Sequence, residues 1–216
     1  MQDRDRGVAQ RVVVIGAGGQ ARDTKWLLEE LGHEVVGFVV TDASRLGPHD
    51  SPVLGDYAWL DAHREAFDGL ALGIGTPKWR LKVAGELSER LPEKAWPSLV
   101  HPRVELDRSS MRIGRGVMIG AGCVGSVNLV FEDFCLVNLG VTLGHESVFG
   151  RGSVVNHNAA IAGGVVLEEG VLVGSGAAVL QYLRVGEGST VGAGAVVTKD
   201  VPAGETWVGV PAQRLR

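Results

Sequence analysis

In a stretch made almost wholly of glycine, valine and alanine, Leu143-Gly144-His145-Glu146-Ser147 places an imidazole next to a carboxylate. Imidazole titrates near neutral pH, and an adjacent carboxylate stabilises its protonated form. The pair therefore has the make-up of a general base that takes a proton from an attacking nucleophile. A solvent-facing histidine without a role is the alternative. Eighteen residues on comes Ala162-Gly163-Gly164, where missing side chains would let a long thin ligand pass beside His145. A second histidine stands in Val155-Asn156-His157-Asn158, twelve residues after the first. Two histidines invite a metal hypothesis, but a catalytic zinc site usually needs three protein ligands and an open position. No third histidine occurs after residue 104, so no metal is expected. His33, His49, His63 and His101 are assigned no role.

A different chemistry is offered by Gly16-Ala17-Gly18-Gly19-Gln20-Ala21, which follows the apolar run Arg11–Ile15 and opens a helical stretch. It fits G-x-G-x-x-A, in which glycines let the backbone approach a phosphate at a helix N-terminus. Asp42, 21 residues after Ala21, is where an acid binding a ribose would be sought. A nucleotide-sugar fits as naturally as NAD, and a purely structural tight turn is the alternative.

These groups must be positioned by two kinds of element. From Ile113, every sixth residue to Val197 is apolar except Gly125, so fourteen of fifteen positions carry an apolar side chain. The residue four further on is small or modest, as at Val117, Cys123, Cys135, Ser153 and Ala177. A fixed period of six is neither helical nor that of an ordinary strand. It suits a parallel β-helix of hexapeptide repeats, three short strands and three corners closing each coil of about 18 residues. The repeat would make roughly 4.7 coils and a prism roughly 23 Å tall. The tail from Lys199 to Arg214 would cap its last coil, and prisms packed side by side would make a homo-oligomer, most plausibly with threefold symmetry. His145 and His157 then fall on different sides of the triangle. Cys123 and Cys135 share the small inward slot and read as buried hydrophobes.

Before residue 104 the pattern alternates. Strands are expected at 11–15, 34–40, 70–74 and 95–100, and helices at 21–31, 57–66 and 79–91, with Gly32 as a C-cap and turns at Gly47, Pro48, Pro52 and Gly55. The fold class is thus an α/β half-Rossmann-like domain (residues 1–103) followed by a β-helix domain (residues 104–216). With 21 Lys and Arg against 25 Asp and Glu and no basic run, nucleic acid and anionic membranes are not expected partners. The charged start, MQDRDRGVAQR, lacks the apolar stretch of a signal peptide, and no segment is apolar enough to span a bilayer, so a cytoplasmic location is expected.

The gapless hexapeptide run, the His-Glu pair, the tail Gly192-Ala-Gly-Ala-Val-Val-Thr-Lys-Asp-Val-Pro202 with Val208-Gly-Val-Pro-Ala212, and the added Gly-Ala-Gly-Gly domain resemble one family. It is the left-handed β-helix sugar acyltransferases, of the sialic acid O-acetyltransferase and UDP-4-amino-sugar N-acetyltransferase type. The resemblance spans nearly the whole chain. It implies a homotrimer with active sites at subunit interfaces and acetyl-CoA as co-substrate lying along the β-helix. It also implies His145 as catalytic base, Glu146 as the acid that raises its basicity, and Asn138 as a third catalytic position. Gly163 and Ser175 would line the acetyl-CoA path, and Gly18, Gly19, Gln20 and Gly75 would contact the nucleotide-sugar.

This chain departs from the family at three places. Gln20 stands where a histidine is common. Val40-Thr41 replaces the acidic pair that holds uridine, with Asp42 one step late. Val154 occupies the position of a histidine that touches the acetyl carbonyl in some members. The implied reaction is acetyl transfer to the amine or hydroxyl of a sugar, a UDP-linked 4-amino-4,6-dideoxy sugar first and sialic acid as the alternative. Two rivals are a metal-dependent hydratase resembling the γ-class carbonic anhydrases and a non-catalytic nucleotide-binding trimeric scaffold.

Overall fold

The computed structural model describes residues 8–42, 46–47 and 49–215. Pro48, one of the expected turn residues, lies outside them. The chain divides into two compact units, Met1–Gly75 with Ala84–Leu99, and Thr76–Val83 with Val100–Arg216.

In the first unit, β1 (Arg11–Ile15), β2 (Glu34–Val39) and β3 (Gly69–Leu72) form a parallel sheet in the order β2-β1-β3. Val12 to Ile15 and Leu70 to Leu72 are buried, as the unbroken apolar runs of a parallel sheet require. α1 (Gly19–Glu30) buries Ala21, Thr24, Leu27 and Leu28, one stripe of its surface, and ends where the Gly32 N–H reaches the Glu29 carbonyl. α2 (Tyr57–Ala62) begins with the Asp56 carboxylate accepting from the Ala58 N–H. α3 (Pro77–Arg90) passes from the second unit into the first. The fourth strand expected at 95–100 does not form as such. Pro97 has no N–H to give a ladder, which leaves one bridge from Ala95 to Gly69 and a two-residue strand, Leu99–Val100.

The second unit is a parallel β-helix. Fifteen two-residue strands from Arg112 to Val197 recur every six residues, and each inner one pairs with the strands 18 residues before and after it. They make three faces. Face I holds Met118–Ile119, Leu136–Val137, Val154–Val155, Leu172–Val173 and Thr190–Val191; face II holds Val124–Gly125, Thr142–Leu143, Ala160–Ile161, Ala178–Val179 and Val196–Val197. Face III holds Arg112–Ile113, Val130–Phe131, Val148–Phe149, Val166–Leu167 and Arg184–Val185. The second residue of each strand points inward, and these side chains are buried from Ile119 to Val197, while Ile113 in the first coil stays exposed. Phe131 and Phe149 stack with ring centroids 4.9 Å apart. Gly125, the one break in the apolar column, is explained by Leu106, whose side chain fills the space a Cβ would take.

The small slots four residues on are buried too. Cys123 donates its thiol to the Asn138 carbonyl and Cys135 to that of Phe149, and burial pushes the Cys135 thiol up to about 12. After the last coil, Thr206–Val208 pairs with Thr190–Val191 and with Gln213–Arg214, laying buried Trp207 over the end of the stack. Arg80, at the α3 end that belongs to this unit, is wholly buried. It donates from Nε and Nη2 to the Phe134 carbonyl at 3.1 and 3.0 Å, and desolvation lowers it to about 10. Among the described residues no helix is long and apolar enough to cross a membrane.

Every corner takes a left-handed residue at its third position. From Gly116 to Gly194 each sixth residue has φ between +56° and +74°; nine of the fourteen are glycine and two are asparagine. A different demand falls on the first corner position, where coils approach backbone to backbone. A Cβ on Gly150 would come 2.5 Å from the Glu168 carbonyl carbon, whereas one on Gly176 would meet nothing within 4 Å. Gly150→Ala is therefore expected to cost about 3 kcal/mol by overpacking, and Gly176→Ala about 1 kcal/mol for its left-handed backbone alone. Urea denaturation of the two variants checks this, and equal losses would count against close coil stacking as the cause.

Candidate active site

His145 is the second and Glu146 the third residue of the corner between faces II and III. The Glu146 N–H donates to the Val127 carbonyl of the coil below, and the His145 carbonyl accepts from Gly164 in the coil above at 2.7 Å. Both side chains are exposed, and His145 Nδ1 lies 3.6 Å from a Glu146 carboxylate oxygen. That separation suits an ion pair once the imidazole takes a proton. Ser147, next in sequence, is buried and donates to the Ala162 carbonyl, so it belongs to the core and not to the site.

Gly163 gives the His145 ring its seat. A Cβ there would come 2.5 Å from His145 Nε2 and 2.6 Å from Cε1, so the imidazole itself occupies the space above the glycine. A side chain at 163 would expel the ring from its seat. Gly144 is required as well, because a Cβ on it would collide with the Gly163 N–H. Histidine direction and glycine position are thus one feature read at two places 18 residues apart.

The other expected residues of this unit are only partly brought together. Asn138 lies in the same coil as His145 but at the far end of the Thr142–Leu143 strand, on the corner between faces I and II. There it is nearly buried and donates to the Asn156 side chain at 2.9 Å. Ser175 is exposed on that same corner two coils higher. Within one chain neither meets His145. Val154 is fully buried in face I, paired with Leu136 and Leu172, and presents no surface for an acetyl carbonyl. His157 sits on the Asn138 corner, away from His145. Among the described residues no three His, Cys, Asp or Glu side chains gather as metal ligands.

In the first unit the glycine-rich turn is held open by packing. Gly16 has φ +124°, and a Cβ on it would lie 2.5 Å from the Gly73 carbonyl oxygen. A Cβ on Gly73 would in turn strike Ala21. The strand end, the helix start and the end of β3 therefore meet with no side chain between them. Gly18 caps α1 without any side-chain hydrogen bond, and since the Ala21 N–H already donates to the Gly18 carbonyl, the N–H groups of Gly19 and Gln20 are those an anion could meet. Gly75 lies beside the Gln20 amide, with 3.6 Å from a would-be Cβ to Oε1. Gly18, Gly19, Gln20 and Gly75 thus share the carboxyl end of β1 and β3. Val40 leaves β2 through a bond to the Gly55 carbonyl, followed by exposed Thr41 and Asp42.

Three neighbours of these sites carry no signal in the sequence. Asp50 approaches Gly18, and Ser51 donates its N–H to the Ala17 carbonyl; they arrive through a turn-rich stretch with no periodic signal. Tyr182 lies on the His145 corner and was masked by its place in an otherwise ordinary repeat.

No protein-family model matches the chain, and no curated protein does. Solved structures do. PerB from Caulobacter crescentus, solved with CoA and GDP-perosamine, is 29% identical over 97% of this chain and 99% of its own, with a TM-score of 0.87. WeeI from Acinetobacter baumannii is 27% identical over 95% and 99%, with a TM-score of 0.82. The acetyltransferase domain of PglB from Neisseria gonorrhoeae, solved with acetyl coenzyme A, is 26% identical over 96% and 100%, with a TM-score of 0.62. With an α/β unit holding a glycine-lined turn and a hexapeptide prism bearing an exposed His-Glu pair, the chain is an acyltransferase with the left-handed β-helix fold, similar over nearly its whole length to sugar N-acetyltransferases.

Proposed function

We propose that this chain transfers the acetyl group of acetyl-CoA to the amine of a nucleotide-linked amino sugar, in the cytoplasm, with residues 1–103 holding the nucleotide-sugar and residues 104–216 carrying out the transfer. The observation that carries this reading is the His145 ring, exposed, seated on Gly163 and flanked by Glu146. With Nδ1 turned to the carboxylate, Nε2 is the nitrogen that receives the acceptor's proton. The amine nitrogen attacks the thioester carbonyl carbon, and its proton passes to Nε2. The C–S bond then breaks, and the proton goes on to the departing thiolate, giving the amide and free CoA. Glu146 offsets the positive charge on the imidazole during transfer. A backbone N–H steadies the oxyanion.

The phosphates of the acceptor find the uncapped start of α1 at Gly18, Gly19 and Gln20, with Gly75 beside them. The resemblance points to uridine as the nucleotide. Val40-Thr41 in place of an acidic pair, together with the GDP-sugar bound by the PerB structure, brings guanosine forward as a second reading.

The separation of Asn138 from His145 at opposite ends of one strand supports a homotrimer. In a cyclic arrangement each edge of face II meets the other edge of the next copy, so one protomer's Asn138 completes another's site. The outward residues of face II are Val124, Thr142, Ala160, Ala178 and Val196, uncharged throughout, whereas face III carries Arg112 and Arg184 at its ends. On face I, Met118, Leu136 and Val154 are already buried.

Thiol release from acetyl-CoA is expected with one member of a panel of GDP-, UDP- and dTDP-linked amino sugars and sialic acid. His145→Ala should lower turnover by roughly 10²–10⁴. Full turnover in that variant would remove the base role, and silence across the panel without CoA binding would favour a scaffold. Gly163→Ala should lower turnover roughly 10²-fold by displacing the imidazole, with little change in melting temperature. Light scattering should give three times the chain mass, and Ala160→Arg should give monomers that have lost activity. An active monomer would refute the shared site.

A further inference from the structure

Of the fourteen left-handed corner positions, three carry side chains with no affinity for that backbone: Phe134, Glu146 and Tyr182. Holding such residues there costs free energy that something else must offset. For Phe134 the offset is packing. Its ring is fully buried against Gly116, Arg115 lies over it at 5.3 Å, and its carbonyl takes both bonds from Arg80. Glu146 holds its carboxylate 3.6 Å from His145 Nδ1. Tyr182, at φ +59°, is 70% exposed, far more than core packing would leave it.

Its placement is specific. Tyr182 stands on the His145 corner, one coil above Gly164, and its ring turns down onto that glycine, where Cδ1 and Cε1 fill the space of a Cβ. The His145 ring turns up onto Gly163 from the coil below. Imidazole and phenol thus come from opposite directions onto one dipeptide, Gly163-Gly164, on the open edge of the prism. Exposed Leu180 continues the apolar strip beside it.

The coil register says where along the prism Tyr182 stands. Tyr182 and Ser175 terminate the Ala178–Val179 strand of face II as His145 and Asn138 terminate Thr142–Leu143, in the same order and at the same two corners. If one copy's Asn138 meets another's His145, then Ser175 meets Tyr182 across the same cleft, two coils or about 10 Å further along the axis. We infer that the Tyr182 ring is a contact for the pantetheine arm of the acyl donor, lying between that arm and the Gly164 backbone beside the catalytic base. This rests on the acetyltransferase reading above.

The test is Tyr182→Asn, which suits the left-handed backbone as Asn128 and Asn158 do, with Tyr182→Phe as the variant that keeps the ring. CoA binding is followed by calorimetry on the intact oligomer, alongside acetyl-CoA kinetics. In Tyr182→Asn the Kd for CoA and the KM for acetyl-CoA should rise about tenfold, the size of an aromatic contact. The acceptor KM should stay constant and the melting temperature should hold or rise, with Tyr182→Phe close to wild type. Unchanged CoA affinity in Tyr182→Asn overturns the inference, as does dissociation of the oligomer, which would make Tyr182 an interface residue. Failure of the wild-type chain to bind CoA overturns instead the acetyltransferase reading on which it rests.

Discussion

The structure depends on a backbone constraint at the corners. Turning the chain by a third of a circle after two residues of strand requires a left-handed residue at the same place in each corner, and here that place recurs every six residues from 116 to 194. Because the requirement is periodic, residues 18 apart lie directly above one another, and the corner hydrogen bonds lock them in register, as from Gly164 N–H to the His145 carbonyl. Everything on the outside of the prism inherits this spacing. His145 needs no dedicated loop; it needs a glycine one coil above it.

That dependence explains what was legible beforehand. The six-residue period and the alternating α/β pattern gave the two kinds of architecture, and the unusual residues in a bland repeat, His145 and Glu146, were visible by contrast. Gly163 is legible too, as a missing side chain near His145, though the ring seated on it is not. Absence of a side chain reads the same in sequence whether it admits a ligand or another residue's ring, and only coordinates separate the two. Tyr182 was passed over because the period marks which corner positions are left-handed only after the backbone is known. An aromatic there looks like any exposed side chain until its φ is measured.

The first unit shows a different limit. Gly16 and Ala21 belong to one short motif and Gly73 lies far along the chain, yet the three leave no room for one another's side chains. The short motif announces the glycines of the turn but not Gly73, which arrives from the end of β3. The expected strand at 95–100 failed because apolar character was weighed above the missing N–H of Pro97. Asp50 and Ser51, reaching the turn from a stretch without periodicity, could not have been found by any spacing rule.

The inward column has its own consequence for how such a chain can change. Gly125 tolerates the loss of its apolar side chain only because Leu106 reaches in from outside the repeat to fill the gap. Each coil touches only the coils next to it, so length can be added or removed locally. A gain of six residues would keep the core column apolar and the corners left-handed, yet it would turn every later residue to the neighbouring face and carry Gly163 away from His145. Only whole coils of 18 preserve both at once. Folding and the seating of His145 on Gly163 therefore tolerate different insertions, and the gapless run from 113 to 197 is the longer of the two rhythms kept intact.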